Sequence, residues 1–132
     1  MQSATPGLSN PPLWSRYLGL TWSPEFDCWG LVRRVYAEEL GVDLPYTGIA
    51  PESVFKSLRL IASHPIRQQF CKSDPEHLAV AEFRHGHGDM PHHIGIYIET
   101  PDGPKVLHLP KGGVVLDRPQ DLSNITYWVY CG

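Results

Sequence analysis

The chain is short of several features that would give away a function. Its 132 residues carry 11 basic and 14 acidic side chains, a formal net charge of −3. That balance offers no general attraction to nucleic acid or to an anionic membrane. There is no apolar run of about 18 residues, so no membrane insertion is expected. Residues 1–12 lack the basic start and apolar core of a signal peptide, so synthesis in the cytoplasm without an export signal is expected. Cysteine is scarce: Cys28, Cys71 and Cys131 make an odd number without metal-type spacing. A disulfide framework is therefore not expected. No repeat or low-complexity segment occurs.

What is present is ordinary for a folded protein. Hydrophobic residues make up 42%, enough for one domain with a core of its own. Residues 1–12 read as an extended polar arm and residues 13–132 as the domain. Leu13 to Leu20 predicts a helical turn or two. From Cys28 to Leu40, apolar residues at Cys28, Leu31, Val32, Val35, Tyr36 and Leu40 follow helical spacing, and Gly41 is the stop. Asp27 is a candidate N-cap, with Ser23 as a rival start one turn earlier. Glu52 to Ser63 has helical spacing, and Ile66 to Lys72 could add a turn. The composition then turns strand-like. His77 to Phe83 is one candidate strand. His93 to Glu99 is another, with Ile94, Ile96 and Ile98 alternating against His93, Gly95 and Tyr97. Pro101 to Pro104 predicts a hairpin turn into a strand over Lys105 to Leu109. Val114 to Leu116 and Ile125 to Cys131 close the chain. Helices first and strands afterwards predict an α+β domain, its helices packed on an antiparallel sheet.

The candidate chemistry starts at Cys28. A cysteine in the first turn of a helix meets unpaired backbone N–H groups and the positive end of the helix dipole, which favour the thiolate. The plain alternative is a buried structural cysteine. A nucleophile also needs a base, and the base needs an orienting group. His93 opens a strand beside Gly95, which leaves room for an approach to the sheet. His108 lies on the neighbouring strand, where a cross-strand imidazole can fix a tautomer. Cys28, His93 and His108 then form a nucleophile, a base and an orienter. His85, His87, Asp89, His92 and His93 are also clustered, but on a glycine-rich loop that suits a rim beside a site better than a metal centre. No metal or other cofactor is expected.

Three motifs in order carry a resemblance to a known family. Phe26-Asp27-Cys28-Trp29-Gly30-Leu31-Val32 resembles the Asp-Cys-x-Gly-Leu/Phe-Val signature of the NlpC-type cell-wall peptidases, papain-like cysteine enzymes of bacteria. Gly41-Val42-Asp43-Leu44-Pro45 resembles the family's exit from the cysteine helix. His93-Ile94-Gly95-Ile96-Tyr97 resembles its His-x-Gly-Ile-Tyr strand, and His108 falls where the third triad member is expected. Within the family, Trp29, the Glu-Glu-Leu-Gly-Val-Asp-Leu-Pro run and the paired His92-His93 resemble the tail-tip peptidases of long-tailed phages and gene-transfer agents.

The resemblance implies a papain-like fold and hydrolysis of an amide bond in the peptide stem of bacterial peptidoglycan. It implies Cys28, His93 and His108 as catalytic residues, with Trp22, Asp27 and Trp29 lining the substrate cleft. It further implies partners among phage tail-tip and hub proteins, and a place in the virion. There are departures. Glu76-His77-Leu78 stands where the family has Gly-Asp-Leu, and Trp22 replaces a tyrosine. Stem peptides carry free carboxylates, so a cation is needed; Arg16, Arg33, Arg84, Lys105 and Lys111 are candidates.

Overall fold

The structure is a computed structural model that describes residues 12–44, 69–84 and 92–132. The predicted helix over Glu52 to Ser63, most of the N-terminal arm and the loop over 85–91 lie outside the described residues. Two helices come first, α1 (Leu13–Tyr17) and α2 (Cys28–Val35). Six strands follow: β1 (Phe70–Ser73), β2 (Val80–Arg84), β3 (His92–Thr100), β4 (Gly103–His108), β5 (Val115–Asp117) and β6 (Ser123–Tyr130). They form one sheet in the order β1-β6-β2-β3-β4-β5, with every neighbouring pair antiparallel. The expected α+β class is what the described residues form.

Helix α2 ends differently from the expected continuous helix. Its last turn, Tyr36–Leu40, is wound as a π-helix. Gly41 then stops it in the left-handed conformation, at φ 66°, which glycine adopts without a Cβ clash. Leu31, Val32 and Val35 are fully buried, each worth about 1.5–3 kcal/mol of transfer free energy against exposure. They pack with Ile94, Ile96 and Ile98 of β3 and with Leu107 and Leu109. The alternation of β3 thus divides two cores. A second cluster on the other side of the pleat joins Ala79, Ala81, Phe83, Tyr97, Val106 and Tyr127.

The β3–β4 hairpin turns where Pro101 to Pro104 predicts. Thr100 Oγ1 donates to Gly103 O at 2.7 Å and accepts from Asp102 N at 3.2 Å. Behind the turn, Gly95 faces His108 in register. A Cβ on Gly95 would lie 2.6 Å from Leu107 O and 2.8 Å from the Cβ of His108. The strands approach so closely there that only glycine fits.

Two expectations are corrected. Residues 70–73 are a strand, not a further helical turn. Their apolar content is set by pairing with β6, a partner more than fifty residues away that local periodicity does not report. Cys71 and Cys131 form a disulfide, with Cα atoms 5.9 Å apart, although the odd cysteine count argued against any. Pairing of β1 with β6 brings the two thiols to adjacent positions and leaves Cys28 outside the bridge.

Candidate active site

Asp27 settles the start of α2. Its Oδ1 accepts from Gly30 N at 2.9 Å, and its carbonyl accepts from Leu31 N at 2.9 Å. That side-chain cap is worth about 1 kcal/mol. The rival, Ser23, serves a different turn: its Oγ accepts from Phe26 N at 3.0 Å, and Ser23 and Phe26 pair as an isolated bridge. Cys28 is therefore the first residue of the helix, and no acidic side chain stands in the first turn. Cys28 is 4% exposed, and Trp29 beside it is buried. Gly30 fits under Phe26, whose Cδ1 would lie 3.2 Å from an added Cβ. The residue types of this stretch are thus explained by local packing and capping, and both leave Cys28 at the dipole end.

α2 packs on β3, the strand that carries His93. The His93 ring stacks on Phe83, its pairing partner on β2, with centroids 6.1 Å apart and planes at 22°. His108 is fully buried and meets the same Phe83 edge-on at 5.0 Å. One phenyl ring therefore supports both imidazoles on one side of the sheet. Cys28 belongs to the apolar cluster that contains Ile94, Ile96 and Ile98.

His108 has a partner that the sequence reading missed. Its Nε2 lies 2.7 Å from Oδ2 of Asp117. β4 pairs with β5 so that Val106 faces Asp117 and His108 faces Val115. Asp117 is thus one diagonal step from His108 on the same face. The Gly112-Gly113 turn was a usable signal, since a hairpin through it brings this carboxylate back beside His108. Ending the strand at Leu116 hid it.

The segments flanking Cys28 and His108 are tied together. Val114 N donates to Leu20 O at 3.2 Å, and Lys111 Nζ sits 5.1 Å over the Trp22 ring, a cation–π contact. The other candidate cations divide. Arg16 pairs with Glu39 at 2.6 Å, and Arg33 Nε donates to Leu44 O at 2.8 Å. Arg84 ends β2 opposite His92, and Lys105 lies within β4.

Tyr17, the tyrosine nearest to the motif, is committed elsewhere. It is buried, and its hydroxyl donates to Glu38 Oε1 at 2.8 Å. Burial first, then the bond and charge of Glu38, push its pKa upward. The same hydrogen bond is the main cause that lowers the pKa of Glu38. Among the described residues no group of three His, Cys, Asp or Glu could hold a metal ion. The histidine-rich loop lies mostly outside them.

Compared with known proteins, the chain matches the family model described as the NlpC/P60 family over residues 15–130. No curated protein and no solved structure matches it.

Proposed function

The chain belongs to the NlpC/P60 family, a family of peptidoglycan-hydrolysing cysteine peptidases, and we propose that it cleaves an amide bond in the peptide stem of peptidoglycan with Cys28 as nucleophile. The observation that carries this reading is the position of Cys28 at the first residue of a helix capped by Asp27. Backbone N–H groups and the helix dipole stabilise a thiolate there.

In this reading His93 takes the thiol proton and Sγ adds to the amide carbonyl. The C–N bond breaks, His93 gives the proton to the leaving amine, and a thioester remains. Water activated by His93 then adds to the thioester carbonyl, the C–S bond breaks, and the thiol is restored. The backbone N–H of Cys28 donates to the oxyanion in both steps. His108 orients His93. Asp27 and Trp22 shape the approach, Asp27 by holding the helix start and Trp22 by walling the cleft in a papain-like fold; Trp29, expected to line the cleft, is instead buried in the core with Cys28. The mechanism requires Sγ to meet the His93 ring at the first residues of β3. Lys111, over the Trp22 ring, is the cation set against the stem's carboxylates.

We further propose that the protein works in a phage tail tip, with the arm over residues 1–12 against tail-tip or hub proteins and residues 13–132 as the peptidase domain. Cytoplasmic synthesis followed by carriage in the virion would bring it to the wall. The Cys71–Cys131 disulfide suits a protein that acts outside a reducing cytosol. Detection of the chain in purified virions tests this placement, and particles that lack it overturn the placement without touching the chemistry.

A second reading is a structural plug with little catalysis. Trp22 carries no hydroxyl for the oxyanion, and the Tyr17 hydroxyl is bound to Glu38. Digestion of purified peptidoglycan separates the two. Cys28→Ala is expected to lower fragment release by at least about a thousandfold. Equal release from both proteins leaves only the plug.

A further inference from the structure

We propose that Asp117 is a positioning residue, which holds His108 in the one tautomer that can accept a hydrogen bond from His93. The inference rests on the catalytic reading of Cys28, His93 and His108 given above.

The geometry leaves His108 little choice. Its Nε2 is 2.7 Å from Asp117 Oδ2, and a carboxylate only accepts, so Nε2 carries the hydrogen. A neutral imidazole has one N–H, which makes Nδ1, on the other side of the ring, the acceptor. An orienting group for a catalytic base must accept that base's second N–H, and this is the form that can. The ring is not free to turn. It is fully buried and held edge-on against Phe83. Its Cβ is seated where Gly95 alone permits the strands to close. A flip would set ring carbon against the carboxylate. Asp117 itself keeps 35% of its side chain exposed, so water still reaches the charge that fixes the buried ring. Its position is dictated by the β4–β5 register, which makes β5, three residues long, part of the site.

The carboxylate has no contact with the reacting atoms, so its effect must pass through the tautomer of His108. Two-bond nitrogen–proton spectra of the 15N-labelled full chain read that tautomer directly, with His108 identified by comparison with His108→Gln. The wild type is expected to show Nε2–H and a bare Nδ1. Asp117→Asn can turn its NH2 toward Nε2 and favour Nδ1–H. Its turnover is expected to fall about tenfold or more at nearly unchanged KM. Asp117→Glu, which keeps the carboxylate, should restore the wild-type tautomer and most of the rate. A wild-type His108 protonated at Nδ1, or at both nitrogens, overturns the inference even if no variant folds. So does full turnover in Asp117→Asn, or equal loss in both variants with the tautomer unmoved, which would make the pair a structural clamp only. Cys28→Ala is assayed alongside. An inactive Cys28→Ala beside a fully active Asp117→Asn overturns this role and spares the catalytic reading. An active Cys28→Ala overturns both.

Discussion

The two edges of the sheet are held by different means. At one edge, β1 is four residues long and is joined to β6 by pairing and by the Cys71–Cys131 bridge, which spans 60 residues of sequence. Phe70 also packs between Tyr36 and Tyr130, with ring centroids 6.0 and 5.9 Å away. At the other edge, β5 is three residues long and is held by pairing with β4 and by the His108–Asp117 contact. The first edge closes a long loop of the unfolded chain and stabilises the fold. The second puts a carboxylate beside a buried imidazole, where the proposed chemistry lies. The covalent cross-link and the proposed positioning of His108 thus sit at opposite ends of one hydrogen-bonded sheet.

The sharpest way to break this comparison is between the edges, at the close approach of β3 and β4. Gly95→Ala sets a Cβ against backbone at Leu107, which cannot move without disturbing the β3–β4 pairing. A loss of about 3 kcal/mol or more is expected in denaturant unfolding, together with loss of activity. A variant as stable as the wild type would show that the strands have room for a side chain at this crossing.

Removing the covalent edge comes next. Cys71→Ser with Cys131→Ser is expected to cost about 2–5 kcal/mol, because the unfolded chain regains the freedom of a 60-residue loop. Residual activity of the folded fraction should match the wild type. A fall in turnover at full folding would show that the two edges are coupled.

The smallest effect sharpens the stability side alone. Tyr17→Phe removes the bond to Glu38 and is expected to cost about 1 kcal/mol near neutral pH, a modest value because Glu38 is well exposed to water. The sign with pH follows from the two shifts. Glu38 is held below its usual range, so its contribution is present above that range and is lost as the pH falls through it. Tyr17 is held above its usual range, so its contribution is present below about pH 10 and is lost as the pH rises beyond. The stability gap between wild type and Tyr17→Phe should therefore be widest between roughly pH 5 and 10. A gap that grows in acid would contradict the assignment.

How far the chain could be read beforehand follows the distance between interacting residues. The stop at Gly41, the hairpin turn at Pro101 to Pro104 and the two faces of β3 are each written within a few neighbouring residues. Local sterics and periodicity decide them, and the structure agrees. Ser23 against Asp27 was open because both are sound caps. The turn that Ser23 makes with Phe26 decided between them. β1 looked helical because its real partner, β6, is remote. Asp117 escaped notice because its role exists only in the β4–β5 register.

By itself, the order of residues determined the α+β class, an amphipathic helix through Leu31, Val32 and Val35, the strand that carries His93 and the three motifs of the family. Each is a matter of backbone preference or apolar spacing over one turn or one pleat. The tertiary structure alone decided the Cys71–Cys131 bridge, the shared support of His93 and His108 by Phe83, and the contact of His108 with Asp117. Those depend on which strands lie side by side and in what register. That choice is made by burial summed over the whole sheet, which no single stretch of sequence records.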